Sequence, residues 1–125
     1  MRAADTNVLV RLVTRDNERQ LAVAAAFVQN AVWVSLVVLA ETVWVLQKAY
    51  YFERARIASA VDLFLHHETV TLQEADVVAA ALDLYAKTNV GFSDCLVLEI
   101  ARKAGHLPLG TFDRDLSKLD GAERL

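Results

Sequence analysis

Acidic side chains placed at the ends of apolar segments are the residues of this sequence that could do chemistry. Asp5 closes the first apolar stretch, and Glu41 lies inside a strongly apolar run. Asp94 follows a Gly-Phe-Ser step, and Asp113 follows the last apolar stretch, with Asp115 two residues on. Acids are rarely buried unless they are paired, hydrogen-bonded or bound to metal. Because converging acids without matching cations are the ligands that Mg²⁺ and Mn²⁺ require, the pattern points to metal-assisted chemistry on a phosphate.

Capping is the simpler interpretation of each acid taken alone, apart from Glu41. Asp5 stands at a strand-to-helix turn, where its side chain can accept hydrogen bonds from free helix N–H groups. Ser93 is predicted to cap a helix whose dipole favours Asp94 in the first turn. Asp113 could equally cap a short turn that runs towards Leu119. Only the set as a whole distinguishes metal chemistry from capping.

Glu41 is harder to explain as a structural residue. Its neighbours at helical spacing are apolar, namely Val37, Val38, Trp44 and Val45, and no Lys or Arg lies three or four residues away. Burying a polar group without a hydrogen-bond partner costs roughly 2–7 kcal/mol. A lone buried carboxylate therefore costs several kcal/mol unless it takes up a proton and becomes neutral. The pattern therefore favours a ligand role over a position at a solvent-exposed helix edge.

The composition indicates one domain over residues 1–125 with a sizeable core, since 55% of the residues are hydrophobic. A net charge of −3 excludes attraction of nucleic acid by bulk charge. If the protein handles RNA or DNA, metal ions and local Lys or Arg must supply that attraction.

The single cysteine, Cys95, cannot form an intramolecular disulfide, and this favours a reducing cytoplasm. No signal-peptide pattern opens the chain, and the longest apolar stretch, residues 31–46, is interrupted by Glu41 and is short for a membrane span. A soluble, cytoplasmic protein is expected.

Strands alternating with helices predict an α/β domain with a mostly parallel sheet. The predicted strands cover residues 2–5, 32–35, 69–72 and 107–111, with a final short strand near Arg124. The predicted helices cover residues 6–13, 18–30, 36–50, 53–66, 73–87 and 93–103. Ser35 is predicted to cap the third helix, and Gly105 to end the last. Ligands of such sheets bind at the carboxyl ends of strands, which is where Asp5 and Asp113 fall.

Small hydroxyl and amide residues stand beside the acids and could orient them as hydrogen-bond partners. These supporting residues are Thr6, Asn7, Ser93 and Thr111. Two or three carboxylates can hold one or two Mg²⁺ ions, and such ions activate water and clamp the oxygens of a phosphodiester.

Four segments in this order resemble the successive motifs of PIN-domain ribonucleases, and most closely those of VapC-like toxins of bacterial toxin–antitoxin pairs. The segments are Asp5-Thr6-Asn7-Val8-Leu9-Val10, Ala40-Glu41-Thr42, Phe92-Ser93-Asp94 and Thr111-Phe112-Asp113-Arg114-Asp115-Leu116. The resemblance covers essentially the whole chain. It implies a PIN-like three-layer α/β/α domain with a mostly parallel central sheet.

The same resemblance implies a Mg²⁺- or Mn²⁺-dependent endoribonuclease. Asp5, Glu41 and Asp94 match the three core acids of the family, and metal ligation carries over most firmly to Asp5 and Asp94. Asp113 is the first choice for the fourth acid because it follows the strand end, with Asp115 as the substitute. Thr111 matches a small hydroxyl residue that the family keeps near the site.

The implied partners are an RNA substrate, often structured RNA such as transfer RNA, a cognate antitoxin and a second copy of the chain. The apolar composition also suggests more apolar helix surface than one small core needs. An unbalanced cluster of acids further predicts inhibition by an antitoxin Arg that competes with metal.

Two other functions compete with the ribonuclease. A receiver-like phosphoacceptor domain has a similar length, but it requires adjacent acids after its first strand and a Lys near the end of the domain. Residues 105–109 of this chain contain no Lys. A non-catalytic interaction module, in which the acids only cap helices, predicts that charge-neutral substitutions at Glu41 and Asp94 leave or raise stability and change nothing else.

Overall fold

Strands alternate with helices along most of the chain in the computed structural model, which describes residues 1–125. The strands are β1 (Arg2–Ala3), β2 (Val32–Val34), β3 (Val70–Leu72), β4 (Leu109–Thr111) and β5 (Ala122–Arg124). The helices are α1 (Thr6–Thr14), α2 (Glu18–Val28), α3 (Leu36–Lys48), α4 (Arg54–His66), α5 (Ala75–Lys87) and α6 (Phe92–Ala104), with one 3₁₀ turn at Leu116–Lys118. All strand pairings are parallel, so the predicted α/β class with parallel strands is confirmed.

The chain divides into two compact units, Met1–Ala75 and Asp76–Leu125. The first unit contains the three-stranded sheet in the order β1-β2-β3 together with α1 to α4. The second contains α6, the 3₁₀ turn, the β4-β5 pair and nearly all of α5. Each unit therefore has its own parallel strands and helices, and each is described by itself.

The sheet of the first unit buries one face. Along β2, Val32 and Val34 are fully buried while Trp33 between them is 37% exposed. β3 repeats the pattern with Val70 and Leu72 buried, in register with β2. This alternation follows from the two-residue period of a strand. The buried face packs into a core of branched and aromatic side chains, among them Leu9, Val10, Leu39, Leu46, Ile57, Val61 and Phe64.

Side-chain caps fix the starts of three helices in the first unit. Asp5 precedes α1, Asn17 precedes α2 and Ser35 precedes α3, and each side chain accepts a hydrogen bond from a free N–H of the first turn. The Ser35 bond comes from the N–H of Val38 at 3.1 Å, so the predicted cap is confirmed. A cap of this kind stabilises a helix by about 1 kcal/mol.

The second unit is built around α5 and α6. The buried rings of Tyr85 and Phe92 meet edge to face, with centroids 5.7 Å apart. Gly105 ends α6 in the left-handed region at φ 81°, where a glycine avoids the steric cost of a Cβ, and this confirms the predicted stop. Beyond it, β4 pairs with β5 from Leu109 to Thr111.

The predicted cap at Ser93 is wrong. α6 begins one residue earlier than expected, at Phe92, and the N-cap residue is Gly91 with no side-chain cap. The Gly91 carbonyl accepts the first helical bond from the N–H of Cys95 at 3.0 Å. Ser93 therefore lies inside the first turn, exposed to solvent.

No helix of this chain has both the length and the hydropathy needed to cross a membrane. Cys95 is fully buried, as expected for a small apolar residue in a core.

Candidate active site

The first unit places Asp5 and α3 at one edge of its sheet. β1 and β2 are adjacent and parallel, so α1 and α3, which follow them, both begin at the carboxyl edge of the sheet. Asp5 lies in the connection between β1 and α1. Glu41 lies on α3, between its first and second turns. The topology thus brings together two acids that are far apart in the sequence.

Thr6 links these two acids directly. Its backbone N–H donates to Oδ1 of Asp5 at 2.7 Å, and its hydroxyl donates to Oε1 of Glu41 in a short hydrogen bond. Thr6 is buried, with 5% of its surface exposed, so water competes little for these bonds. Each carboxylate keeps one oxygen that has no partner in the chain. One residue therefore fixes both acids and leaves each of them an open ligand position.

Glu41 is exposed, which corrects the prediction of a buried carboxylate. Two of the four apolar neighbours that suggested burial are themselves at the surface, since Val37 is 78% exposed and Trp44 59% exposed. The core contacts of α3 come instead from Leu39, Val43 and Leu46. Glu41 thus lies on an apolar but solvent-facing stripe, and its hydrogen bond from Thr6 orients it there.

Asp5 also borders a groove between α1 and α2, with a volume of about 670 Å³. Asn7, predicted as a supporting residue, is exposed and lines this groove rather than contacting either acid. Two arginines, Arg11 and Arg19, line it as well. We call this feature the α1–α2 groove.

In the second unit, Asp94 and Asp113 interact through their charges. Asp94 lies in the first turn of α6 and is half-buried. Partial burial is the main cause that raises the pKa of Asp94, and the nearby charge of Asp113 raises it further. Both effects disfavour the ionised form of a carboxyl group. No hydrogen bond within the chain offsets them, so the pair lacks a compensating positive partner.

Asp113 also caps the 3₁₀ turn, as the alternative interpretation predicted. Its Oδ1 accepts a hydrogen bond from the N–H of Leu116 at 2.8 Å. Its own N–H donates to Oγ1 of Thr111 at 3.0 Å, so Thr111 orients the segment that carries the acid. Asp115 is exposed and does not contribute to the pKa shift of Asp94. Of the two candidates, Asp113 is thus the one that interacts with Asp94.

Both pairs fit the donor chemistry of a hard divalent cation. Mg²⁺ binds through one or two carboxylates and keeps several waters, and Mn²⁺ also prefers carboxylate and water oxygens. Asp5 and Glu41 each present a free oxygen, and a cation would offset the repulsion that Asp94 experiences. The structure contains no group of three or more His, Cys, Asp or Glu side chains arranged to hold a metal ion, so ligation by all the acids stays a prediction.

Sequence reasoning missed the link through Thr6 and the two arginines of the groove. Thr6 was predicted only as a supporting residue, and its contact with Glu41 spans 35 residues. The signal for Arg11 was its position one helical turn beyond Asn7 and Val8, on the same face of α1.

Two comparisons with known proteins bear on the chain. A family model described as PIN domain matches residues 3–122. A protein named VapC ribonuclease from Aquifex aeolicus (strain VF5) is 27% identical over 124 residues, which cover 95% of this chain and 92% of that protein. The family match spans nearly the whole chain, and it confirms both the resemblance and the fold class predicted from the motifs.

Proposed function

We propose that this chain, which belongs to the PIN-domain family, is a metal-dependent endoribonuclease that acts as the toxin of a toxin–antitoxin pair. The relative named VapC ribonuclease, similar along almost its whole length, supports RNA as the substrate. A receiver-like phosphoacceptor loses its support, because the family match accounts for the same acids.

One observation carries the proposal: Thr6 holds Asp5 and Glu41 together across the sequence while leaving an oxygen of each acid free. A purely structural cap needs only the bond from the Thr6 N–H to Asp5. The second bond, from the buried hydroxyl to an exposed glutamate on another helix, has no role in capping. It orients Glu41 towards the acid that follows β1, which is what a ligand or a general base requires.

In this proposal Asp5 and Asp94 are the principal ligands of Mg²⁺ or Mn²⁺, and Glu41 and Asp113 complete the set of catalytic acids. A bound divalent ion supplies a Lewis acid, lowers the pKa of a water molecule and stabilises charge on the phosphodiester oxygens. Thr6 keeps Asp5 and Glu41 oriented, and Thr111 keeps Asp113 oriented, while Ser93 and Asp115 stay supporting residues.

The partners we propose are structured RNA such as transfer RNA, an antitoxin and a second copy of the chain. The stripe of α3 that contains Val37 and Trp44 supports a protein partner, because large apolar side chains that are this exposed favour association. We also propose that residues 1–125 act as a single domain in the cytoplasm. An antitoxin Arg that pairs with the acids would compete with metal, so raising Mn²⁺ should weaken inhibition.

Sequencing of RNA 5′ ends tests the proposal. Three full-length proteins are expressed: the unsubstituted chain, the Asp5→Asn variant and the Asp62→Asn variant. Asp62 is an exposed acid on α4, so Asp62→Asn is the matched control. We expect new 5′ ends with the unsubstituted chain and with Asp62→Asn, and none with Asp5→Asn. Equal cleavage by Asp5→Asn at saturating Mn²⁺ in the purified reaction would overturn the metal-site assignment. Cleavage by none of the three would overturn the nuclease.

A further inference from the structure

The α1–α2 groove is a feature of the first unit that the proposed catalytic acids do not account for. One helix lines it with Asn7, Val8 and Arg11, and the other with Arg19, Gln20 and an apolar base that includes Phe27. Its volume of about 670 Å³ lies within the range of sites that enclose drug-sized ligands. It therefore suits a short stretch of a single strand, and Asp5 stands at its border.

The groove lies in a part of the sequence where positive charge slightly predominates. Residues 1–30 contain four arginines and three acids, whereas residues 31–125 contain nine Lys or Arg and thirteen acids. In a chain of net charge −3, attraction of a polyanion must be local. The first thirty residues, with one more arginine than acids, are one segment that can supply it.

Arg19 is the free cation of the groove. It is exposed at the start of α2 and forms no ion pair or side-chain hydrogen bond within the chain. Its guanidinium therefore keeps its full set of donors for a ligand. An arginine of this kind pairs well with phosphate, because its planar donors match two phosphate oxygens.

Arg11 is held in place instead of free. One end of its guanidinium donates to Asp16 at 2.6 Å and the other to the Tyr50 hydroxyl at 3.1 Å. At the edge of the groove, Arg2 stacks on the ring of Phe27, 4.0 Å from its centroid. The groove thus has two arginines held by contacts within the chain besides the unpaired Arg19, and the exposed side chain of Val23 offers apolar contact to a base.

From this arrangement we propose that the α1–α2 groove binds the backbone of a single-stranded RNA segment and leads it to Asp5, with Arg19 contacting a phosphate. This inference rests on the proposed ribonuclease function and adds a substrate-positioning residue to it. Arg11, which is paired with Asp16, forms part of the groove wall. The amides of Asn7 and Gln20 are placed to hydrogen-bond ribose hydroxyls and base edges.

An acidic peptide is the other ligand that these arginines could take. RNA is favoured because the groove ends at an acid of the proposed metal site, where a phosphodiester has to arrive for cleavage. The experiment is designed so that each ligand gives a different outcome.

Fluorescence anisotropy with a 5′-fluorescein, 12-nucleotide single-stranded RNA of mixed sequence tests the groove in the full chain. All proteins carry Asp94→Asn, so that the probe survives. Arg19→Gln should raise Kd about threefold or more at moderate salt and reduce the slope of log Kd against log salt by about 0.7, the value for one lost phosphate contact on a single strand. Arg19→Lys keeps the charge and should retain most of the slope.

Arg56→Gln is the matched control. Arg56 is exposed on α4, stacks on Phe52 at 3.9 Å and does not line the groove. The Arg56→Gln substitution removes the same charge as Arg19→Gln but outside the groove. The Kd and the salt slope of the Arg56→Gln protein should therefore match those of the parent. In cleavage by proteins that keep Asp94, Arg19→Gln should raise KM and leave kcat within about twofold, as expected for lost uniform binding.

Three results would overturn the inference. If the Arg19→Gln protein binds and cleaves RNA like the parent, Arg19 does not contact a phosphate, while the proposed ribonuclease function still stands. Unchanged RNA binding combined with weaker binding of the antitoxin would assign the groove to a peptide. If the unsubstituted chain cleaves no RNA and its Asp94→Asn form does not bind the probe, the ribonuclease function itself fails, and this inference fails with it.

Discussion

The two acid pairs of this molecule are held in opposite ways. In the first unit, Asp5 and Glu41 are satisfied by donors from Thr6, a backbone N–H for one and a hydroxyl for the other. In the second unit, Asp113 accepts a hydrogen bond from the Leu116 N–H, but Asp94 has no donor, and its pKa is raised by burial first and by the charge of Asp113 second. One pair is already oriented by the chain, whereas the other repels until a cation offsets the charge.

The difference assigns different work to the two pairs. Hydrogen bonds to a carboxylate fix its direction, which benefits a residue that must point at a substrate or a water. A pair of like charges with no compensating partner destabilises the folded protein. Binding of a divalent cation to such a pair raises the stability of the folded state. We therefore expect the first pair to control activity through geometry, and the second to couple metal binding to stability.

The largest effect should come from neutralising the first pair. Asp5→Asn or Glu41→Gln should reduce the rate of RNA cleavage by about 100-fold or more, because acid–base or ligand groups of this kind contribute roughly 10²–10⁴-fold. Initial rates with end-labelled RNA and Mn²⁺ give the measurement, with Glu68→Gln at an exposed turn position as the control. A Glu41→Gln enzyme with more than half of the normal rate would remove Glu41 from the catalytic set.

Removing only the Thr6 hydroxyl should have the next largest effect. Thr6→Val preserves the shape of this buried side chain and keeps the backbone N–H that donates to Asp5. It removes the hydroxyl, so Glu41 loses its hydrogen-bond donor. We expect a loss of about 10–100-fold in kcat, the usual consequence of deleting a group that orients a ligand. Thr6→Ser keeps the hydroxyl and should retain most of the activity.

The outcome for Thr6→Val distinguishes orientation from stability. Equal losses in Thr6→Val and Thr6→Ser, with a parallel fall in Tm, would mean that Thr6 acts through packing alone. A loss confined to the Val variant at unchanged Tm supports the link to Glu41.

Stability against pH probes the second pair without metal. Because the pKa of Asp94 is raised on folding, its contribution to stability is fully present below the unfolded value near 3.8 and is lost as pH rises through the folded pKa. Asp94→Asn should therefore match the parent near pH 3 and be more stable at pH 7. The gain should stay below about 1 kcal/mol, since solvent reaches much of the side chain. Urea unfolding in EDTA at both pH values measures it, and a variant less stable than the parent at pH 7 would contradict the repulsion.

Asp113→Asn should have the smallest effect. It removes the weaker of the two causes that raise the pKa of Asp94, and asparagine caps a helix about as well as aspartate, so the bond from the Leu116 N–H survives. We expect Asp113→Asn to raise the free energy of unfolding at pH 7 by less than Asp94→Asn does. Asp113→Ala should instead lose about 1 kcal/mol because the cap is lost. Identical urea midpoints for the Asn and Ala variants would show that the cap contributes nothing.

Much of the local structure followed from the sequence because its signals are local. Asp5 and Ser35 were predictable as caps, since a short polar residue before an apolar period satisfies free N–H groups. Ser93 failed as a cap because α6 already begins at Phe92, and the N–H of Cys95, two residues beyond Ser93, donates to the carbonyl of Gly91.

The site depended on contacts that no local pattern encodes. Glu41 was expected to be buried because its helix neighbours are apolar, but periodicity does not say which apolar face meets the core, and Val37 and Trp44 face solvent. The bond from Thr6 to Glu41 and the α1–α2 groove arise only when distant segments pack together. The motifs nevertheless predicted the family, because their residues occur in the family's order, and the match over residues 3–122 confirms it.

A double-mutant cycle between the two units tests the central claim, that both acid pairs serve one RNA-cleaving reaction. Single-turnover cleavage of end-labelled RNA is measured for Asp5→Asn, Asp94→Asn and the double variant, with enzyme in excess so that slow rates are resolved. Residues that act as a unit are strongly non-additive, so the double variant should be no slower than about the slower single variant. If the two losses multiply instead, the pairs act independently, and the account of a shared metal-dependent reaction is wrong.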